Sequence, residues 1–444
     1  MKLPRPHLLS LALAALLAPP VGAQSLVQLY DSARASDATY QSARAQFDAN
    51  LFRAEQARAN ILPSAGLSVG VNRADQEINA GGISADRTYT TRNSTLSASQ
   101  PLYRPANLAS LAQGRKLVES SRAQLIAAEQ DLLVRVSQAY FDVLAAQDSL
   151  VFVQAQKAAT GEQLASAKRN FEVGTSTITD SREAQARFDL VTAQEIAAEN
   201  DLRVKRIALD TLAGATNAAP LPLQQPVALP PVAPDDVATW VQQAESTHPT
   251  ILQARTAVDV AQLETRKAEA GHKPTLDLTA AYNVATNPTS SGNSAATVGT
   301  KANTGTIGLS FNLPLFAGFA TQNRIRETLS LEEKAKADLE AARRAVTLAT
   351  RTAFLGVVSG TGQVKALEAA EASSQSALDA NKLGYQVGVR INIDVLNAQS
   401  QLYQTKRDLA RARYDVLVGG LKLRQASGSL KPEDLQPINA LLQK

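Results

Sequence analysis

The segment FEVGTSTITD at residues 171–180 and the segment YQVGVRINID at residues 385–394 follow one pattern, at an offset of 214 residues. Each continues into an Ala-Gln pair, at residues 184–185 and 398–399, and each following region ends at a glycine, Gly214 or Gly428. Two alanine-rich helices can resemble each other by chance, but chance similarity rarely aligns glycines at a fixed offset. The sequence therefore predicts an internal duplication.

The duplication extends outward from these segments with little drift in register. Residues 101–103 (Pro-Leu-Tyr) correspond to residues 314–316 (Pro-Leu-Phe), and Pro63 corresponds to Pro274. The matches predict a first structural repeat at residues 24–217 and a second at residues 235–429.

Two segments lie outside the repeats. The linker at residues 218–234 contains six prolines, which predict a stiff, extended chain. The C-terminal tail at residues 430–444 has no recognisable motif.

Each repeat is predicted to contain a helix, two strands, one very long helix, a break and a last helix. The first helix covers residues 26–60, and its counterpart covers residues 237–270. Proline disfavours helical geometry in the residue before it. Four prolines are therefore predicted to mark transitions between helix and strand: Pro63, Pro101, Pro274 and Pro314.

The strands are predicted from alternating apolar and polar residues. Leu67, Val69 and Val71 alternate with polar residues or glycine, and residues 276–284 and 306–313 show the same period of two. The return strand of the first repeat is more polar and is placed near residues 92–103. The glycine- and serine-rich stretches at residues 79–86 and 287–299 are predicted to be exposed loops.

The long helices are predicted from the absence of proline between residues 105 and 170 and between residues 314 and 387. A helix of about 65 residues spans roughly 100 Å and needs partner helices. In the last helix, large residues recur every seven positions at 395, 402, 409, 416 and 423, each with a small residue three positions later. This pattern favours coiled-coil packing at close approach, although an ordinary soluble bundle has the same period.

The N-terminus has the pattern of a secretory signal. Lys2 and Arg5 precede a largely apolar stretch at residues 8–18, and Val21-Gly22-Ala23 fits a cleavage site. The apolar stretch is too short to span a bilayer, which takes about 20 residues. We therefore expect residues 1–23 to be removed from an exported protein.

The composition argues against several classes of function. The absence of cysteine excludes disulfides and thiol chemistry, and the net charge of +4 comes from interleaved acids and bases, which argues against a nucleic-acid surface. The histidines, His7, His248 and His272, lack metal-ligand spacing. No nucleophile-elbow serine is found. We predict neither enzymatic activity nor a cofactor or metal.

No stretch after the signal contains 18 uninterrupted apolar residues, so any membrane crossing must use the strands. A four-stranded sheet has two edges, and lipid requires every backbone polar group to be paired. Single-chain barrels begin at about eight strands. Closure therefore requires several chains: two copies give eight strands and three give twelve, and the strand pattern alone does not decide between them.

The two glycine-containing segments, together with Pro101, Pro314 and the opening LVQLY at residues 26–30, resemble the TolC family of outer-membrane factors. The resemblance covers nearly all of the chain after residue 23. It implies a mainly α protein with a membrane β-barrel portion, in which a homotrimer forms a twelve-stranded barrel in outer-membrane lipid and a long helical tunnel in the periplasm. It also implies work with a periplasmic adaptor and an inner-membrane ABC or other transporter, in type I secretion or drug efflux.

Gly174 and Gly388 are predicted to break the helices, because glycine readily adopts the left-handed conformation that closes a helix end. Asp180 and Asp394 follow where new helices begin, so each repeat should form a helical hairpin at the end far from the strands. Carboxylates near a helix N-terminus are often caps, and we favour that role for Asp180.

The resemblance gives these hairpins a role in gating. It implies that Asp394 contributes to an acidic ring at the periplasmic entrance, where Asn397 replaces a second acidic residue and reduces the ring from six charges to three. It also implies that Tyr385 and Arg390 hold the entrance closed, and Arg390 could pair with Asp180. The alternatives are a solvated cation for Arg390 and a packed aromatic for Tyr385.

Three other classes of protein remain as alternatives. A periplasmic coiled-coil adaptor would have the long helices but not the four amphipathic strands. A porin would consist of strands throughout. An exported hydrolase would need a catalytic motif. The sequence does not identify the cargo.

Overall fold

The computed structural model describes residues 24–224, 226–287 and 300–443. The predicted signal peptide and most of the predicted loop at residues 287–299 lie outside the described residues. The elements follow in the order α1 (Leu26–Ser36), α2 (Ala38–Ala59), β1 (Ser64–Ala80), β2 (Ile83–Tyr103), α3 (Pro105–Glu172), α4 (Ile178–Ala213), α5 (Val237–Thr247), α6 (Pro249–Glu269), β3 (Thr275–Asn287), β4 (Thr300–Asn312), α7 (Ala320–Gln386), α8 (Asn392–Ala426) and α9 (Leu435–Asn439).

The chain divides into two compact units, and each unit takes segments from both repeats. The first unit comprises Met1–Arg44, Gln124–Ile251 and Arg343–Lys444. The second unit comprises Ala45–Ala123 and Leu252–Ala342, and it contains the whole sheet.

The predicted first helix of each repeat proves to be two helices. The break falls at Asp37 between α1 and α2 and at His248 between α5 and α6, and both residues have extended backbone. Asp37 accepts a hydrogen bond from the Tyr40 amide at 2.7 Å, so its side chain caps the new helix. His248 precedes Pro249, and a following proline disfavours helical geometry.

The pH dependence of stability should include a contribution from His248. Its Nδ1 accepts a hydrogen bond from the Thr250 amide at 3.2 Å, which requires the neutral ring, and burial lowers the pKa of the imidazole. The unfolded chain therefore binds a proton more readily. Stability should be complete above pH about 6.5 and decrease as the pH falls below it.

We expect acidification from pH 7.5 to 5.5 to lower the free energy of unfolding by at most about 1.4 kcal/mol, the limit that a single group with an unfolded pKa of about 6.5 can contribute over this range. The thermal midpoint of His248→Asn should vary less with pH than that of the wild type, because asparagine caps a helix without titrating. Parallel pH profiles of the two proteins would contradict this assignment.

The sheet is antiparallel, with the strands in the order β1-β2-β3-β4. One row across it pairs Leu67 with Leu96, Leu96 with Tyr282 and Tyr282 with Gly305. The register places large, exposed apolar side chains on one face: Leu67, Val69, Val71, Leu96, Tyr282, Ile307, Leu309 and Phe311. The opposite face carries small and polar residues such as Ser68, Thr95 and Thr306. The predicted two-faced sheet is confirmed.

The predicted loop at residues 79–86 was wrong, because β1 and β2 continue through most of it. The connection is only Gly81-Gly82, with φ of 59° and 86°. Positive φ at both positions is typical of the type I′ hairpin turn, and glycine adopts it without steric cost. The return strand consequently begins at Ile83, well before the predicted residue 92.

The transition prolines have different positions. Pro63 and Pro274 directly precede β1 and β3, and Pro314 follows β4 after one residue. Pro101 was predicted as a transition but lies inside β2, where its partner is Asp277 and the register shifts. Proline is tolerated in a strand at such irregularities. The helix begins instead at Pro105, the first position of α3.

The seven-residue pattern of α8 is confirmed as a packing seam. Its five large residues, Val395, Leu402, Leu409, Val416 and Leu423, are all buried. Glycines allow close approach to α7: a Cβ on Gly360 would lie 3.0 Å from Val416 Cγ2, and one on Gly419 would lie 3.3 Å from Val357 Cγ2. Small residues in the seam therefore set the spacing of these helices.

The linker and the C-terminal tail both contribute to the first unit. Gln24 pairs with Pro220, and Leu223 pairs with Leu442, as isolated β-bridges. Four tail residues are buried in the main hydrophobic core: Leu430, Leu435, Ile438 and Leu442. The tail without a motif is thus an integral part of the fold.

Among the described residues, no helix is both long enough and apolar enough to cross a membrane.

Candidate functional site

The first hairpin end, residues 170–182, joins α3 to α4 through a left-handed glycine. Gly174 has φ of 79°, and the Thr175 amide donates to the Asn170 carbonyl at 2.8 Å. A Cβ on Gly174 would meet nothing within 4 Å, so glycine is needed here only for its backbone conformation. The predicted helix break is confirmed.

The second hairpin end, residues 383–397, joins α7 to α8 with nearly the same geometry. Gly388 also has φ of 79°, and the amides of Val389 and Arg390 both donate to the Gly384 carbonyl, at 2.8 and 3.0 Å. The structure thus retains the break in both repeats.

The helices that start after the two breaks are capped differently. Thr177 caps α4 and forms a reciprocal capping box with Asp180. Asp180 Oδ2 also accepts from the Ser176 hydroxyl at 2.6 Å, and this bond, with those from Thr177, lowers the pKa of the carboxyl. The capping role that we favoured for Asp180 is confirmed. In α8 the corresponding cap is Ile391, whose side chain makes no capping hydrogen bond.

Arg390 contacts Asp394 rather than Asp180. Its Nη1 lies 3.6 Å from Oδ2 of Asp394, four residues later in the sequence, and its side chain is 59% exposed. The predicted pair with Asp180 is absent from the described residues of this chain, because the Asp180 carboxylate is engaged by its own capping box. The arginine side chain lies over Gly384, where a Cβ would be 2.7 Å from Arg390 Cγ.

Polar contacts link the two hairpin ends. The side-chain Nδ2 of Asn170 donates to the Tyr385 hydroxyl at 3.2 Å, and Arg187 Nη2 donates to Asn397 Oδ1 at 2.8 Å. Asn392 is buried; it accepts a hydrogen bond from Gln163, and its own amide donates to the Asp180 carbonyl at 3.4 Å. These bonds join Tyr385, Asp180 and Asn397 to residues of the other hairpin, and the contact between Arg390 and Asp394 lies within the second hairpin end.

Four residues of this network were not predicted from the sequence: Gln163, Asn170, Arg187 and Asn392. Only Asn392 gave a usable indication, since it is a polar residue at the position that corresponds to the apolar Ile178 in the first repeat. The others are ordinary polar residues on helix surfaces, and their partners lie more than 200 residues away.

Apolar packing supports each hairpin end. Leu164, Ala167, Ala184 and Leu396 form one buried cluster, and Leu378, Val395 and Leu402 form another with Tyr385 against it. Tyr385 therefore packs as an aromatic and also accepts a hydrogen bond. Among the described residues, no group of three histidine, cysteine, aspartate or glutamate side chains could hold a metal ion.

Comparison with known proteins gives one family for both repeats. The pattern of the outer membrane efflux protein family matches residues 29–215 and 240–429. The chain is 35% identical to the outer membrane protein TolC of Vibrio cholerae over 426 residues, which cover 96% of this chain and 95% of that protein. It is 32% identical to the alkaline protease secretion protein AprF of Pseudomonas aeruginosa, covering 94% and 87% of the two chains.

Solved structures share the fold. The outer membrane protein VceC of Vibrio cholerae superimposes with a TM-score of 0.76 at 18% identity, over 91% of this chain and 96% of that one. The open state of the MtrE outer membrane channel of Neisseria gonorrhoeae gives a TM-score of 0.73 at 20% identity, over 92% and 90%. The predicted combination of long helices with a four-stranded sheet is therefore that of known outer-membrane channels.

Proposed function

Because the chain belongs to the outer membrane efflux protein family, we propose that it is an outer-membrane channel that serves type I secretion or efflux. The sheet supports this proposal most directly. It exposes one face rich in large apolar side chains, which fits lipid, and a face of small and polar residues, which fits a water-filled interior. The family is one of transport channels, so we expect transport and no catalysis.

The channel is proposed to be a homotrimer. In the described sheet, β1 and β4 each have a neighbour on one side only, so two edges are open. Lipid tolerates a sheet only when it closes on itself. Three copies supply twelve strands, which is within the range of known outer-membrane barrels.

The proposed location is the outer membrane, with a large helical portion in the periplasm. There the hairpin ends would form the entrance and would meet a periplasmic adaptor and an inner-membrane transporter. The relatives include proteins named for protease secretion and for efflux, so the proposal covers both processes.

The alternatives fit the structure less well. A periplasmic adaptor has no need of a sheet with an exposed apolar face. A porin would be built of strands, whereas this chain is mainly helical. A hydrolase would need a catalytic group, and the site contains capping and bridging contacts instead.

The proposal can be tested on protein extracted from outer membranes with detergent. We expect light scattering to give the mass of three chains, and planar bilayers to show discrete conductance steps. A dimer or tetramer would contradict the trimer. A water-soluble monomer that neither binds detergent nor conducts ions would contradict the channel itself.

Arg390→Ala should raise the open probability of the channel. The substitution removes the contact with Asp394 and the side chain that lies over Gly384. An exposed ion pair contributes at most about 1 kcal/mol, so we expect an increase of up to about fivefold. Single-channel recording measures it, with Arg390→Lys as the control that keeps the charge. Unchanged gating in Arg390→Ala would exclude the proposed role.

Asp394→Ala should reduce the preference for cations. A ring of three carboxylates at a narrow entrance attracts cations and repels anions. We expect the ratio of cation to anion permeability, measured from the reversal potential in a KCl gradient, to fall by about twofold. Asp379→Ala, at an exposed aspartate of α7, is the matched control. Equal selectivity in all three proteins would refute this role for Asp394.

A further inference from the structure

Arg187 on α4 reaches across to Asn397 on α8. Its Nη2 donates to the Asn397 side-chain oxygen at 2.8 Å, between residues separated by 210 positions in sequence. Asn397 is exposed and Arg187 is half-buried, so the guanidinium lies at the surface where the two hairpins meet.

The partner of this arginine is neutral. An amide oxygen can accept a hydrogen bond, but it does not cancel the charge of the guanidinium as a carboxylate would. The contact with Asn397 therefore leaves a fixed positive charge on this surface.

That charge lies close to the acidic residue of the site. Asp394 precedes Asn397 by three residues, a rise of about 4.5 Å along α8. Asp394 is itself in contact with Arg390 at 3.6 Å. The Asp394 carboxylate and the Arg187 guanidinium, which is held at Asn397, therefore lie on the same surface of α8.

We propose that Arg187 is a second residue that determines ion selectivity: its positive charge at Asn397 opposes Asp394 and limits the cation preference of the entrance. This inference rests on the proposed function, because it places the hairpin ends around the path of the ions. The entrance should therefore prefer cations over anions less strongly than it would with Asp394 alone, and anionic groups should pass more easily.

A purely structural role for Arg187 is the competing explanation, since the bond also joins α4 to α8. The two roles respond differently to salt. Charge effects at exposed sites decrease as the Debye length falls from about 10 Å at 0.1 M salt to about 3 Å at 1 M. A hydrogen bond that holds two helices together does not depend on ionic strength in this way.

The test uses the full-length protein in planar bilayers. In a KCl gradient centred near 0.1 M, Arg187→Gln should raise the ratio of cation to anion permeability by about twofold, and most of the increase should vanish near 1 M. Arg187→Lys should behave like the wild type because it keeps the charge. Arg203→Gln removes an exposed arginine about 24 Å further along α4 and should change nothing.

Asn397→Asp provides an independent variant that leaves Arg187 in place. It converts the neutral partner into a carboxylate and should raise cation preference in the same direction as Arg187→Gln. The inference is overturned if both variants keep the wild-type reversal potential, or if Arg187→Lys shifts it as much as Arg187→Gln does. If Asp394→Ala alters selectivity while these variants do not, only the role of Arg187 is lost. If the wild type does not conduct, the proposed function fails and this inference with it.

Discussion

Gly428→Ala should destabilise the protein by more than about 3 kcal/mol. Gly428 ends the last turn after α8 with φ of 69°, a conformation that alone costs an L-residue about 1–2 kcal/mol. A Cβ there would lie 2.5 Å from His248 Cα, 2.8 Å from His248 N and 3.0 Å from the Thr247 carbonyl carbon. These are backbone atoms, so α5 and its junction with α6 would have to move.

Gly388→Ala is the matched control for this prediction. Gly388 also has positive φ, of 79°, but a Cβ there would meet nothing within 4 Å. Its substitution should cost only the conformational strain, about 1–2 kcal/mol. Thermal midpoints followed by circular dichroism in detergent compare the two variants. Similar shifts would show that the contact with His248 is not rigid.

Ile307→Lys should prevent most of the protein from assembling in the membrane. Ile307 is on the apolar face of β4 and is 79% exposed in the single chain. A lysine facing lipid near the middle of the bilayer costs about 2–4 kcal/mol, and the proposed trimer would bear that cost at three positions.

Thr306→Lys places the same charge one residue away, on the polar face of the sheet. We expect it to assemble nearly as well as the wild type, because alternate residues of a strand point to opposite faces. The measurement is the fraction of each protein recovered as a detergent-stable trimer from outer membranes. Equal recovery of the two lysine variants would mean that the apolar face does not contact lipid.

Local sequence patterns predicted much of the fold. Gly174 and Gly388 marked both helix breaks, because left-handed backbone strongly favours glycine. The buried seam of α8 followed from its seven-residue spacing. The full length of β1 and β2 was missed because polar strand residues near Gly81-Gly82 resemble a loop until a partner strand pairs with them.

Features that depend on distant contacts were harder to predict. Asp37 interrupts a helical pattern without proline, and its carboxylate also binds Arg135 at 3.0 and 3.2 Å, a partner 98 residues away. The tail has no motif, yet it completes the core. At the candidate site, the residues close in sequence to Gly174 and Gly388 were predicted, whereas Arg187 was not. Its importance follows only from which faces of α4 and α8 meet.

The two open edges of the sheet make insertion a reaction of high kinetic order. In the proposed trimer, no copy can shield its unpaired strands until two others arrive, so the rate of productive insertion should depend on the free chain concentration more steeply than the first power. Newly exported chains at low abundance would therefore wait in the periplasm, where water satisfies the unpaired edges. Slower synthesis would therefore lower the rate of channel formation by a larger factor than it lowers the concentration of free chains.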